Sequence, residues 1–285
     1  MHDLKSLLMP LGAGGEVEER LKGGLLVARE LQAHLRVLHT NIDPKILLPQ
    51  EVFVMSPAAL KGLKDALDKH AGVETDRLKA LLESICAVQG VPLLDAPDAQ
   101  NPSASWLQKS GLRSALVAQY GKLADLIVMA RPPEGKSTAS FESAVLETGR
   151  PVLLIPRKLE SFSLQTVVIG WNCTVEASRS IGSALPVLKR ASNVVVATTV
   201  RAAGKQPGSQ DVCEYLAVHG VSARAEVLPA SKKYKGEALL QCGHDLGANM
   251  LVMGAFSKKR LQESVFGGVT QHMLARADIP LFLSH

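Results

Sequence analysis

The stretch LADLIVMA at residues 123–130 decides the fold, because its pattern returns as GANMLVMG at residues 247–254. On either side of this stretch, LLMP at 7–10 recurs as VVIG at 167–170. GRPVLL at 149–154 recurs as ADIPLF at 277–282. The copies lie roughly 125 to 160 residues apart, which is the length of a domain and much longer than a solenoid repeat. The sequence therefore predicts two duplicated domains.

Short apolar runs alternate with longer helical patterns, which is typical of βαβ units and a parallel sheet. In the first half, strands are predicted near 4–9, 34–39, 91–95, 124–130 and 151–155, and helices near 16–33, 58–89, 103–121 and 138–148. In the second half, strands are predicted near 165–170, 193–199, 222–228, 249–254 and 280–284, and helices near 174–190, 208–219, 234–247 and 260–275. The fold class is therefore α/β, with helices on both faces of each sheet.

Size and composition fit two globular domains. The chain has 285 residues, 46% of them hydrophobic and 21% charged, so each half is long enough to bury a core. Residues Pro156 to Ser161 follow one terminal strand and precede a new first strand, and they form the predicted linker. We predict a first domain at 1–157 and a second at 163–285. The net charge of +5 permits attraction to phosphates but is too modest to indicate a nucleic-acid partner.

Cysteine usage and hydropathy favour a reduced, cytoplasmic protein. The four cysteines lie far apart, with none of the paired spacings of a disulfide framework or a zinc site. The first 15 residues lack the apolar core of a secretion signal, and no stretch reaches about 18 uninterrupted apolar residues. We therefore expect neither secretion nor a membrane partner.

Only the second copy keeps what resembles a phosphate-binding turn. Gly254 closes an apolar strand, and the chain then continues as AFSKKRLQESVFGGVT, whereas Ala130 is followed by RPPEGKSTASFESAV. Ligands of open α/β sheets bind at the carboxyl ends of strands, where small residues and a helix start present backbone N–H groups to an oxyanion. The candidate phosphate ligands are Gly254, Ser257, Lys258, Gly267, Gly268 and Val269. The alternative is a glycine-containing turn followed by a solvated basic loop.

This pattern resembles the universal stress protein family, and in particular its tandem two-domain members. The family's loop is Gly, two residues, Gly, nine residues, Gly, then Ser or Thr. Here Gly254, Ser257 and Gly267 keep that spacing, with Ser257 at the second glycine position and Gly268 at the Ser/Thr position. Where the family's first strand commonly ends in Val-Asp-Gly-Ser, this chain has Trp171-Asn172-Cys173-Thr174. Asn172 thus replaces the Asp near the adenine or ribose, and Cys173 replaces a glycine.

The resemblance extends over nearly the whole chain and carries several expectations. It implies a five-stranded parallel sheet in each domain, with the topology of adenine-nucleotide alpha hydrolases, and two domains packed through their last strands as a pseudo-dimer. It implies that ATP or another adenine nucleotide, with any Mg²⁺ that the nucleotide carries, binds near Asn172, Cys173 and Thr174. The first domain lacks an acidic residue after its first strand and replaces the phosphate loop with Arg131 to Lys136. We therefore expect it to be a degenerate partner without nucleotide.

Three classes of function remain open at this point. The first is a stress-response protein that binds nucleotide in its second domain and acts through a protein partner or a homodimer. The second is a nucleotide-free scaffold, suggested by Ser257 and Gly268 in the loop. The third is a slow ATPase, although Glu263 is the only acidic residue in the loop. No nucleophile–base set and no convergent metal ligands occur in the sequence, so we predict no catalytic residues and no protein-bound metal.

Overall fold

The computed structural model describes residues 3–12, 15–41, 57–98, 100–132, 135–229, 236–256 and 268–285. The first half contains strands β1 (Ser6–Leu11), β2 (His34–Asn41), β3 (Ser103–Ser110), β4 (Leu126–Ala130) and β5 (Val152–Ile155). Its helices are α1 (Val17–Leu31), α2 (Pro57–Gln89), α3 (Arg113–Tyr120) and α4 (Ala139–Leu146), and a short 3₁₀ turn spans Gly121–Leu123.

The second half repeats this order. Its strands are β6 (Thr166–Trp171), β7 (Asn193–Thr199), β8 (Ala223–Leu228), β9 (Met250–Gly254) and β10 (Leu281–Ser284). Its helices are α5 (Val175–Leu188), α6 (Val200–Ala203), α7 (Ser209–Val218), α8 (Glu237–Asp245) and α9 (Gly268–Arg276). The alternation of strands and helices predicted from the sequence is thus confirmed in both halves.

The ten strands of the described residues form one continuous sheet in the order β3-β2-β1-β4-β5-β10-β9-β6-β7-β8. Each half is a parallel five-stranded sheet, and the two halves meet where β5 pairs with β10 in the antiparallel sense. Leu153 faces Phe282 at the centre of this junction. The expectation that the halves join through their last strands is confirmed, and the pairing leaves neither of these two apolar strands as an open edge.

Helices cover both faces of the sheet. One face packs against α1, α2, α5 and α7, with buried residues that include Leu21, Leu82 and Ile181. The other packs against α3, α4, α8 and α9, with buried residues that include Phe141 and Leu274. Strands buried on both faces consist of nearly continuous apolar runs, which is why β4 and β9 dominate the duplicated pattern.

One predicted strand is wrong, and the helix predicted at 103–121 is confirmed only in its second part, as α3. The third strand lies at 103–110, where the sequence predicted a helix, and the predicted strand at 91–95 contributes only an isolated bridge between Leu93 and Ala104. β3 is the outer strand of the sheet and carries the polar or helix-favouring residues SASWLQKS. It is held by pairing along the whole of β2 and by His34, whose ring nitrogens lie 2.9 Å from Ser103 Oγ and 2.8 Å from Ser105 Oγ. Tertiary pairing overrides local propensity here.

His34 makes a pH dependence of stability testable. Burial, and then the nearby Arg36 charge, lower the pKa of His34 below its usual value near 6.5. The folded state therefore favours the neutral ring, so stability is fully present above about pH 6.5 and falls as the pH drops below it. We expect the urea midpoint to be lower at pH 5.5 than at pH 7.5, with a smaller difference in His34→Gln. Equal midpoints in the native chain would contradict this.

Candidate functional site

The candidate site of the second half lies between β6 and β9. The chain leaves β6 for β7 on one side, while β9 pairs with β6 on the other, so a crevice is expected at the carboxyl ends of these two strands. Gly170 pairs with Met253 in the parallel register, which places Asn172 and Gly254 at the same edge. The structure therefore brings together two of the residues that the sequence proposed for nucleotide binding.

The turn after β6 is held by its own hydrogen bonds. Thr174 is the N-cap of α5, and its Oγ1 accepts a hydrogen bond from Ala177 N at 3.3 Å. The same hydroxyl donates to Asn172 Oδ1 at 2.9 Å. An N-cap of this kind stabilises a helix by about 1 kcal/mol. Asn172 is exposed, and its amide nitrogen makes no hydrogen bond to any described residue, so it is the group of this turn that remains available to a ligand.

Cys173 occupies a left-handed backbone conformation, with φ of +62°. Glycine adopts this region without a steric penalty, which is a physical reason for the glycine in the Val-Asp-Gly-Ser pattern that this turn resembles. The Cys173 thiol donates to the carbonyl of Gln206 at 3.0 Å, and Trp171 Nε1 donates to the carbonyl of Pro207 at 2.9 Å. The turn after β6 is thereby tied to the loop that precedes α7.

Gly254 has a packing role of its own. A Cβ at this position would lie 2.6 Å from Ala177 N and 2.7 Å from the carbonyl carbon of Glu176. The missing side chain therefore lets the first turn of α5 lie directly on the end of β9. Ser180 fixes the same contact, since its hydroxyl donates to the carbonyl of Met253 at 2.8 Å.

After Gly254 the chain turns toward the first half. Ala255 and Phe256 are buried, and the Phe256 ring centre lies 5.9 Å from that of Phe141 in α4. Gly268 and Val269 begin α9, and a Cβ at Gly268 would have no atom of the described residues within 4 Å. Ser257, Lys258 and Gly267 lie outside the described residues. The structure thus places six of the nine proposed site residues and gathers Asn172, Cys173, Thr174 and Gly254 at one edge.

The four cysteines are all free thiols, as the absence of paired spacings predicted. Burial raises the pKa of Cys86 and of Cys242 to about 11, which leaves both thiols protonated and unreactive near neutral pH. Among the described residues, no helix is long and apolar enough to cross a membrane.

The corresponding edge of the first half carries a basic cluster that the sequence did not reveal. Arg20, Arg113 and Arg157 converge on the loop that follows β1. They come from α1, from α3 and from the segment after β5, so no local spacing connects them. The only nearby signal was the glycine-containing run from Pro10 to Gly15.

No model of a known protein family and no curated protein matches the sequence. Solved structures do match it. A universal stress protein from Archaeoglobus fulgidus DSM 4304 has a TM-score of 0.72 at 12% identity, with 99% of each chain covered. A functionally unknown protein from Pseudomonas aeruginosa PAO1 has a TM-score of 0.55 at 16% identity, with 99% of this chain and 92% of the other covered. The cytoplasmic domain of a prokaryotic cation chloride cotransporter has a TM-score of 0.52 at 12% identity, with 98% and 94% covered. At these identities the likeness establishes the fold.

Proposed function

Because the chain has the fold of a universal stress protein over its whole length, we propose that it is a stress-response protein whose second half binds an adenine nucleotide weakly. The observation that carries this proposal is the convergence of Asn172 and Gly254 on the point where the strand order of the second half reverses. The free amide nitrogen of Asn172 would orient the base or the ribose. An adenine nucleotide such as ATP would bring any Mg²⁺ with its phosphates.

The amino end of α9 is the proposed place for the phosphates. Backbone N–H groups at a helix start, together with the helix dipole, favour a bound anion. Gly268 and Val269 supply this start, and Gly268 leaves room for a close approach. Ser257, Lys258 and Gly267 complete the proposed phosphate cradle on sequence spacing alone. Weak binding is expected because Asn172 is uncharged and Gly268 has no hydroxyl.

Replacing Gly268 by glutamate tests this site. A Cβ at Gly268 meets no atom of a described residue within 4 Å, so we expect the protein to fold normally. The added carboxylate would repel the phosphates, and we expect affinity for ADP in isothermal titration to fall at least about tenfold. Gly72→Glu is the matched control, since Gly72 is also exposed with open space around it. The proposal would be contradicted if titration with ATP, ADP or AMP released no heat. It would also be contradicted if Gly268→Glu and the native chain had equal affinities for ADP.

A nucleotide-free scaffold or regulatory protein is the second candidate. It is favoured because Gly254 and Thr174 already have packing and capping roles that need no ligand. The same fold also serves as the cytoplasmic domain of a cation chloride cotransporter. Mass spectrometry of small molecules released from the purified protein separates the two candidates. Recovery of an adenine nucleotide supports the first, and its absence together with capture of a defined protein partner supports the second.

We further propose that residues 1–157 and 163–285 are separate domains, and that the chain forms a cytoplasmic homodimer with neither nucleic acid nor membrane as a partner. The two halves have their own parallel sheets, which supports the division. Strands β3 and β8 end the ten-stranded sheet and are the edges at which a second copy could add. Sedimentation of the purified chain at twice the 30.4 kDa monomer mass would support the dimer.

A further inference from the structure

The first half has its own reversal of strand order, between β1 and β4. The chain leaves β1 for β2 on one side, and β4 pairs with β1 on the other. By the same topological rule as in the second half, a crevice is expected at the carboxyl ends of these strands. The residues found there are Gly12, which follows β1, and Arg131, which follows β4. This edge therefore has the geometry of a ligand site, although the sequence assigned none to it.

Arg113 lies directly on Gly12. A Cβ at Gly12 would fall 2.6 Å from Arg113 Nη1 and 2.8 Å from Nη2, so a larger residue here would require the guanidinium group to shift. Arg113 Nε donates to Thr40 Oγ1 at 3.2 Å, which orients the group from the end of β2. Among the described residues, Arg113 forms no ion pair with a carboxylate.

Two more arginines meet the same loop. Arg20 Nη2 donates to the carbonyl of Gly12 at 2.7 Å. Arg157 contacts the position where a Cβ of Gly15 would stand, and its Nη1 donates to the carbonyl of Arg131 at 3.3 Å. The cluster of Arg20, Arg113 and Arg157 thus spans the ends of β1 and β4.

Among the described residues, Glu16 is the carboxylate that pairs with the cluster, while Glu18 and Glu19 in the first turn of α1 pair with Lys22. Glu16 pairs with Arg157 Nε at 2.7 Å, and its side chain is 61% exposed. The pKa of Arg20 is lowered by burial, then by Arg157 and by Arg113, and burial also lowers the pKa of Arg113. Three guanidinium groups this close repel one another in a partly desolvated setting, and a bound dianion would relieve that repulsion.

Beside the cluster, two buried ring nitrogens make no hydrogen bond. They are His39 Nδ1 and Trp106 Nε1, on rings that stack with centres 5.1 Å apart. His39 pairs with Leu11 in the β1–β2 register, which places it beside the arginine-lined loop. Buried polar groups without a partner are rare in native structures and require an explanation. A polar ligand held at the end of β1 would provide one.

We propose that Arg20, Arg113 and Arg157 bind the phosphate group of a small molecule at the carboxyl end of β1. The planar guanidinium fork matches the oxygens of a phosphate in two-point hydrogen bonds, which a lysine cannot reproduce. The amino end of α1 lies at the same edge and adds a favourable dipole. This site is separate from the nucleotide site proposed for the second half. Here arginine side chains would bind the phosphate, whereas backbone N–H groups would bind it in the second half.

Titration of the full-length chain with inorganic phosphate, followed by calorimetry, is the direct test. We expect saturable binding, weakened about tenfold or more in Arg113→Gln and in Arg20→Gln, since each removes a charge-assisted contact. Arg113→Lys keeps the charge but loses the fork, so its affinity should lie between those of Arg113→Gln and the native chain. Arg201→Gln removes an exposed arginine in α6 and is the control for non-specific attraction.

Thermal unfolding is a second measurement, and it distinguishes an arginine that binds phosphate from one that only stabilises the fold. Phosphate should raise the unfolding temperature of the native chain, because it binds only the folded state. Arg113→Gln should lose this rise, and without phosphate it should unfold at the same temperature or higher, because the mutual repulsion is reduced. If Arg113→Gln does not fold, Arg20→Gln gives the same comparison.

The two proposed sites can fail independently. Gly268→Glu should weaken ADP binding in the second half without changing phosphate binding at the arginines, and Arg113→Gln should do the reverse. If AMP competes with phosphate at the arginines, the ligand is a phosphate ester, and if only free phosphate binds, it is the inorganic ion. No binding of phosphate, or equal affinities in the native chain and both glutamine variants, overturns the inference. A loss of phosphate affinity in Arg201→Gln as large as in the other two variants also overturns it.

Discussion

Replacing Phe282 by alanine is expected to lower the free energy of unfolding by about 3 to 5 kcal/mol. Phe282 has no exposed surface and lies on β10, where it faces Leu153 of β5 across the antiparallel junction and Val252 of β9 on the other side. Loss of the ring removes its burial and leaves a cavity between the sheet and the helices packed on this face, which the surrounding side chains can fill only in part. This residue therefore couples the two halves of the sheet.

Equilibrium unfolding in urea measures this change, with Leu123→Ala as the control. Leu123 is 78% exposed, so its truncation should change stability by no more than about 0.5 kcal/mol. A loss below about 1 kcal/mol in Phe282→Ala would show that the junction can repack around the missing ring. In that case β10 would not hold the halves together as the structure indicates.

Gly254→Ala is expected to destabilise the protein by about 1 to 3 kcal/mol, although it adds a single methyl group. The added carbon would lie 2.6 Å from the backbone nitrogen of Ala177, and a helix backbone cannot rotate away as a flexible side chain can. The whole first turn of α5 would have to move off β9. Because α5 also begins with the Thr174 cap, this movement would disturb the Asn172 turn as well.

Gly182→Ala is a control on the same helix. Gly182 is exposed within α5 and has no atom within 4 Å of its Cβ position. Alanine should stabilise a helix interior by about 0.5 to 1 kcal/mol relative to glycine. The two substitutions should thus change the urea midpoint in opposite directions. A neutral or stabilising Gly254→Ala would mean that α5 does not lie against β9 as closely as the structure shows.

This result bears on how the nucleotide proposal is tested. The sequence predicts Gly254 as a phosphate ligand, yet its contact with α5 requires glycine with or without a ligand. Loss of binding in Gly254→Ala would therefore not separate a binding role from a folding role. Gly268→Glu does separate them, because no described residue has an atom within 4 Å of the Gly268 Cβ position.

Most of the fold was predictable because buried strands and amphipathic helices have local signatures. β4 and β9 are apolar along their length, since helices cover both faces of the sheet at these positions. β3 was missed because an outer strand is half exposed and needs no such pattern, and its conformation depends on β2 and on His34. For the candidate site, the sequence identified the strand ends but not the capping role of Thr174 or the packing role of Gly254.

The duplication, the α/β class and the strand ends at Asn172 and Gly254 follow from local patterns, because periodicity and apolar runs are properties of neighbouring residues. The single sheet through β5 and β10, the place of β3, and the convergence of Arg20 and Arg113 on Gly12 and of Arg157 on Gly15 depend on tertiary contacts. Those features join residues that are distant along the chain. They arise when strands pair and helices pack, and no local pattern records them.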